Sequence, residues 1–244
     1  MLTLRGGKCI RFPVPEVRVF QSRNSTGIRG IKVENGDKVI SMSIINHTEI
    51  DNDTRMAYLK LSRALRKTEF EDLEGEEVLE TTKVLSEEEF KALEAKEQFI
   101  LTVTETGFGK RTSSYEYRIT HRGGSGIANI KIAGKTKAVV SSFPIEEDKN
   151  ILMVTDGGKM IRLGVNKIRI AGRQTMGVTL FKTAEDEKVV SVAIAEQNDE
   201  EEIPVEQDNI AQPETSVVEA KDEVATPTEN VETTPSEPKT DLFE

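Results

Sequence analysis

Apolar residues occur in short runs along most of this chain, and polar residues break them at close intervals. The clearest stretch runs from Ile151 to Ala195. "ILMVT", "KMIRLG", "KIRIA", "VTLFKT" and "KVVSVAIA" are rich in Val, Ile, Leu and Thr, and Asp156-Gly157-Gly158, Gly172 and Ala184–Glu187 separate them. Strand-forming residues between turn-forming ones predict short β-strands joined by tight connections. Period-2 alternation sets each arginine opposite an apolar row: Ile161 and Leu163 flank Arg162, and Ile168 and Ile170 flank Arg169. The apolar row is expected to face a core and the arginines to face outward.

The same pattern is written three times. Arg111 and Arg118 are seven residues apart, as are Arg162 and Arg169, and as are Arg11 and Arg18. A further arginine follows in each copy (Arg23, Arg122, Arg173), and four residues later a glycine (Gly27, Gly126, Gly177). Another glycine precedes the first arginine in each copy: Gly7, Gly107 and Gly158. A repeat of about 50 residues holding about four strands predicts a propeller-like array in which each blade buries its faces on its neighbours. The expected repeats are 1–45, 99–150 and 151–195, in one domain spanning 1–195. Closed propellers need roughly 4–8 blades, so further blades are expected upstream or on another chain, "MLTL" being a shortened first strand.

The segment of about 47–98 changes period. Tyr58, Leu61 and Leu65 fall on one face of a helix. Ser86 and Glu89 form a capping box, with Leu85 and Phe90 at the hydrophobic staple positions. A small helical pair inserted at a blade edge is expected, away from nucleic acid because it is acidic. From about residue 196 periodicity disappears into Pro, Thr, Glu and Val, predicting a disordered acidic tail.

Charge is segregated in the same way. The tail, 196–244, holds 16 acidic and 2 basic residues, and 46–98 holds 15 acidic and 8 basic. The repeats hold 23 basic and 12 acidic. The net charge of −10 therefore hides a basic array between acidic appendages, and the tail is expected to compete with other polyanions for that array. Regularly placed cations suit a polyanion held through its phosphates without base reading. The alternative is that each arginine pairs with a carboxylate in its own blade, such as Arg18 near Glu16 or Arg118 near Glu116.

Other chemistries find little support. His47 and His121 have no partners at metal-ligand spacing and read as exposed loop residues. Cys9, the one cysteine, reads as a small packed residue. Gly123–Gly126 reads as a turn, and Glu146 and Glu147 as solvated. There is no long apolar run or leader-like N-terminus, so a cytoplasmic, nucleoid-associated protein without membrane contact is expected.

The repeats "GGKCIRFPVPEVRVFQSRNSTGIRGIKV", "TETGFGKRTSSYEYRITHRGGSGIANIKI" and "TDGGKMIRLGVNKIRIAGRQTMGVTLFK" resemble the C-terminal domain of the bacterial DNA gyrase A subunit. The resemblance covers 1–45 and 99–195, extends to the tail in character, and leaves out the helical insertion. It implies an all-β fold, a partial β-pinwheel of about three four-stranded blades whose neighbours exchange strands. It also implies a basic rim that binds and bends duplex DNA, beside the B subunit and the rest of the A subunit, in support of ATP-dependent negative supercoiling. The candidate DNA-binding residues are Lys8, Arg11, Arg18, Arg23, Arg29, Lys110, Arg111, Arg118, Arg122, Lys159, Arg162, Arg169 and Arg173. No catalytic residue, metal or cofactor is expected on this chain, because ATP and Mg2+ are used by the complete enzyme through other domains. Tyr58, Tyr115 and Tyr117 receive no catalytic role. The family's box, Gln-Arg-Arg-Gly-Gly-Lys-Gly, is absent, and "HRGGSG" only faintly echoes it. Two alternatives stand: the similar C-terminal domain of topoisomerase IV, and a protein-interaction propeller docking through the helical insertion.

Overall fold

The structure, a computed structural model, describes residues 1–34, 36–66 and 81–196. The predicted tail from Gln197 and residues 67–80 of the insertion lie outside the described residues.

Three antiparallel sheets follow one another. The first repeat supplies β1 (Leu2–Leu4), β2 (Lys8–Ile10) and β3 (Val39–Met42). The second supplies β4 (Phe99–Thr104), β5 (Phe108–Ser113), β6 (Ile127–Ala128) and β7 (Val139–Ile145). The third supplies β8 (Asn150–Thr155), β9 (Met160–Gly164), β10 (Val178–Thr179) and β11 (Val189–Ala195).

A repeat is not a whole blade. The first sheet runs β3-β1-β2-β6 and the second β10-β5-β4-β7, so each takes its fourth strand from the following repeat. Ile127 pairs with Cys9 and Ala128 with Lys8. Val178 pairs with Gly109 and Thr179 with Phe108. The third sheet, β11-β8-β9, has three strands among the described residues.

The repeat glycine permits this exchange. Gly126 and Gly177 have φ of 73° and 79°, the left-handed region that side chains avoid. A β carbon on Gly126 would collide with the Cys9 carbonyl oxygen, and one on Gly177 would lie 2.5 Å from that of Gly109. The main core joins sheets two and three through Leu101, Val103, Ile151, Met153, Val165 and Ile168. A smaller cluster, Cys9, Ile100 and Tyr117, joins sheets one and two. Burial pushes the Cys9 thiol up to about 12, as fits a packed residue rather than a nucleophile.

The insertion contains α1 (Asn52–Arg66) and α2 (Glu87–Glu94). Ser86 caps α2: its hydroxyl accepts from Glu89 N at 3.2 Å, and the Glu89 carboxylate accepts from Ser86 N at 2.9 Å. Leu85 and Phe90 pack on Tyr58, Leu59 and Tyr115. The face of α1 departs from expectation. Tyr58 is buried, but Leu61 and Leu65 are exposed, and Leu59 and Ser62 point inward instead. Polar anchors set this rotation: Arg55 donates to the Tyr115 carbonyl at 2.9 Å, and Arg63 pairs with Glu116 at 2.9 Å.

Candidate nucleic-acid interface

The thirteen predicted cations divide by what they touch. One group builds the joints between sheets. Lys110 and Arg111, expected to face outward, are buried. The ammonium of Lys110 donates to the carbonyls of Gly172, Arg173 and Thr175. The guanidinium of Arg111 donates to Ile168 O at 2.7 Å and pairs with Glu147 at 3.1 Å, so Glu147 is not merely solvated. Arg11 repeats this one joint earlier, donating to Ser114 O at 3.0 Å and Tyr117 O at 3.4 Å. Alternation had placed the arginines away from their own core. In a stacked array that direction leads into the neighbouring repeat, not into water.

Arg122 and Arg173 form a second repeated device. Each guanidinium donates to the segment that follows the repeat glycine of the preceding repeat, Arg122 to Arg29 O at 3.1 Å and Arg173 to Ala128 O at 2.7 Å. Each backbone amide donates to a carboxylate, Arg122 to Glu16 at 2.9 Å and Arg173 to Glu116 at 2.8 Å. The Arg122 amide, and then His121 at 2.8 Å, hold the Glu16 carboxyl below its usual range. Glu16 and Glu116 therefore serve the next repeat rather than Arg18 and Arg118 of their own.

Three more predicted residues are engaged at the surface. Lys8 pairs with Glu34 at 2.6 Å and Lys159 with Glu187 at 2.8 Å. Arg162 donates to Glu196 O at 2.7 Å. The half-buried Arg169 is also engaged. Arg18, Arg23, Arg29 and Arg118 are exposed. Their side chains make no hydrogen bond or ion pair with another described residue, although Arg18 lies 5.3 Å over the Phe20 ring.

A further set of cations was missed. The loops that leave the exchanged strands cross to the next sheet: 129–138 leads from β6 in sheet one to β7 in sheet two, and 180–188 from β10 in sheet two to β11 in sheet three. Each repeat sets a lysine five residues after its glycine (Lys32, Lys131, Lys182) and another eleven after it (Lys38, Lys137, Lys188). All six are exposed. The loops differ in balance. The outer two oppose their lysines with Glu34 and Asp37, and with Glu185, Asp186 and Glu187; the middle one carries Lys131, Lys135 and Lys137 with no acidic residue.

The middle loop is also held firmly. The buried Thr136 hydroxyl accepts from Ala133 N at 2.9 Å and lies 2.9 Å from the carbonyl oxygens of Lys131 and Ala133. Lys131 N donates to Thr175 O of the next repeat at 3.0 Å. Three exposed ammonium groups thus stand on the loop that crosses from sheet one to sheet two, and Arg118 and Arg122 of the same repeat are also exposed. The signal for Lys131 and Lys137 was the fixed spacing beyond each repeat glycine. Such an arrangement attracts successive anionic groups.

No helix among the described residues is long and apolar enough to cross a membrane. The sequence pattern described as "DNA gyrase C-terminal domain, beta-propeller" matches residues 5–46, 98–145 and 149–196. The chain is 44% identical over 205 residues to the DNA gyrase A subunit of Granulibacter bethesdensis, covering 79% of this chain and 22% of that protein. It is 45% identical over 205 residues to the DNA gyrase A subunit of Rickettsia prowazekii, covering 83% of this chain and 22% of that one. Its fold matches a solved C-terminal domain of DNA topoisomerase IV with a TM-score of 0.56 at 16% identity, over 80% of this chain and 46% of the other. The chain thus spans about a fifth of the length of the gyrase proteins it matches. With its three repeats matched at the positions where the sheets lie, the chain belongs to the DNA gyrase C-terminal domain family of β-propellers.

Proposed function

We propose that the chain binds and bends duplex DNA without sequence preference, as a C-terminal part of a DNA gyrase A subunit. There it supports ATP-dependent negative supercoiling by the complete enzyme, in company with the B subunit and the rest of the A subunit. ATP and Mg2+ act in other domains of that enzyme, and this chain contributes shape and charge rather than chemistry. The observation that carries the reading is the set of exposed cations, Lys131, Lys135, Lys137 and Arg118, in the repeat whose loop crosses from sheet one to sheet two. Phosphate neutralisation at successive points would draw a duplex along the loop, and released counterions supply most of the affinity. The test is affinity for two unrelated duplexes measured across a salt series. Equal affinities that fall steeply with salt support the proposal; a flat salt response, or a strong preference for one duplex, contradicts it.

A further inference from the structure

The helical insertion is acidic as a whole, but its acidic residues do not lie on α1. Over Asn52–Arg66 that helix carries one acidic residue, Asp53, against Arg55, Lys60, Arg63 and Arg66. Part of α1 lines a groove of about 550 Å³ that it shares with the repeats. The groove gathers Arg55 and Arg63 from α1, Arg118 from the second repeat and Arg173 from the third, with one carboxylate, Glu116.

That carboxylate is already engaged. One oxygen takes Arg63 at 2.9 Å and the other accepts from the Arg173 amide at 2.8 Å. Arg55 and Arg173 donate to neutral carbonyls, Tyr115 O and Ala128 O. Four guanidinium groups and one carboxylate leave a surplus of three positive charges among the described residues lining the groove. Arg118 is exposed and has no hydrogen-bond or ion-pair partner among the described residues.

Asn52 adds a neutral donor. It is exposed at the first residue of α1, and its Oδ1 accepts from Arg55 at 2.7 Å. That bond occupies the amide oxygen and leaves the amide nitrogen, a two-proton donor, without an acceptor among the described residues. The neighbouring Asp51 and Asp53 do not line the groove.

The groove adjoins the middle crossing loop. Ala128 and Gln174 both line it. Lys131 lies three residues beyond Ala128, at most about 11 Å along the chain, and its amide donates to Thr175 O, next to Gln174, at 3.0 Å. A duplex strand carries a phosphate about every 3.4 Å of axis, so the loop and the groove lie within a few phosphates of each other.

We propose that α1 of the insertion belongs to the duplex-binding surface, and that this groove takes phosphates of the same backbone that the crossing loop engages. Arg118 and the Asn52 amide make the contacts. Arg55, Arg63 and Arg173 keep their fastening bonds and raise the positive potential behind them. Phosphate is the chemistry selected, because the groove offers donors and positive charge and its one carboxylate is taken. The inference rests on the proposed duplex binding and extends it to a segment whose overall composition argued against contact.

The test compares two substitutions that add the same charge to α1 of the full chain. Asn52→Asp keeps the acceptor for Arg55 and suits a helix N-terminus, but sets a carboxylate in the groove. Leu65→Glu replaces a side chain that is 66% exposed and does not line the groove. Thermal melting is expected to be unchanged in both. Asn52→Asp should weaken duplex binding roughly fivefold at low salt, the effect of a unit charge about 4 Å from a phosphate in water. Leu65→Glu should match the wild type. In a second readout, Asn52→Cys and Leu65→Cys each carry a photo-crosslinker; Cys9, 0% exposed, is out of reach of the label. Crosslinks to the duplex are expected from position 52 and not from position 65. A wild type without duplex affinity removes this inference together with the proposed function. Duplex binding that the two charge substitutions alter equally, or crosslinks that form alike from both positions, overturns this inference alone. Equal duplex affinities, with inorganic phosphate raising the melting temperature of the wild type but not of Asn52→Asp, would assign the groove to a free anion and overturn it too.

Discussion

Arg11 and Arg111 at the joints and Lys131 and Lys137 on the crossing loop recur with the same regularity and do opposite work. Lys110 and Arg111 are buried against carbonyls of the next repeat, whereas Lys131, Lys135 and Lys137 are exposed on a hydrogen-bonded loop. A structural array copies whatever its joints need, so recurrence alone cannot separate a binding residue from a fastening one. The separating quantity is what each charged group touches. Substituting fastening cations should lower stability, and substituting loop cations should lower affinity for a polyanion at unchanged stability.

The largest effect is expected at Lys110. Lys110→Met keeps most of the stem but leaves the carbonyls of Gly172, Arg173 and Thr175 without the ammonium. Gly172 O and Thr175 O keep donors from Thr175 and Lys131, but hydrogen bonds from a charged group are worth roughly 1.5–3 kcal/mol each, and a total loss of about 3 kcal/mol should appear in urea unfolding. Next comes a paired substitution on repeat glycines. Gly126→Ala combines a left-handed φ with a collision against the Cys9 carbonyl, for about 3 kcal/mol. Gly27→Ala meets open space and should lose only about 1 kcal/mol of backbone strain. Equal losses at the two glycines would contradict the description of the joints.

How much of this the sequence revealed follows from what alternation and spacing can encode. The three-fold array, the strands, the α2 capping box and the basic surplus were all readable, because each is a local pattern. Strand exchange was not readable from spacing, since Ile127 and Ala128 carry no mark that sends them to β2 rather than to their own repeat; the family resemblance supplied it. The burial of Lys110 and Arg111 escaped notice because period-2 alternation separates two faces without saying that a neighbouring repeat covers both. On α1, spacing selected Leu61 and Leu65, but Arg55 and Arg63 anchor the helix with those residues outward. The crossing-loop lysines were legible and overlooked, because their spacing lies beyond the arginines and glycines on which the repeats align.

A smaller effect sharpens the division within one pair of neighbours. Arg118→Ala should reduce duplex affinity roughly threefold and lower the salt slope by about 1, with no change in melting. Arg122→Ala, which also severs contacts to Glu16 O and Arg29 O, should reduce affinity and melting temperature together. The smallest expected effect concerns pH. Lys159, with help from Thr155, holds the Glu187 carboxyl down to about 2. A depressed carboxyl stabilises the fold above its ordinary value of 4.5 and ceases to do so as pH falls towards 2. Glu187→Gln should therefore lose less melting temperature than the wild type between those pH values, and an identical decline would remove Glu187 from the account.

The central claim is that affinity for a duplex resides in the exposed loop cations rather than in the fastening arginines. Its most direct test compares the salt dependence of duplex binding for the wild type and for a variant with Lys131, Lys135 and Lys137 all changed to Ala. Each phosphate contact contributes about 0.9 to the slope of log affinity against log salt. The slope is expected to shrink by roughly 3 units while thermal melting stays unchanged. A slope equal to that of the wild type, with both proteins folded, would contradict the claim.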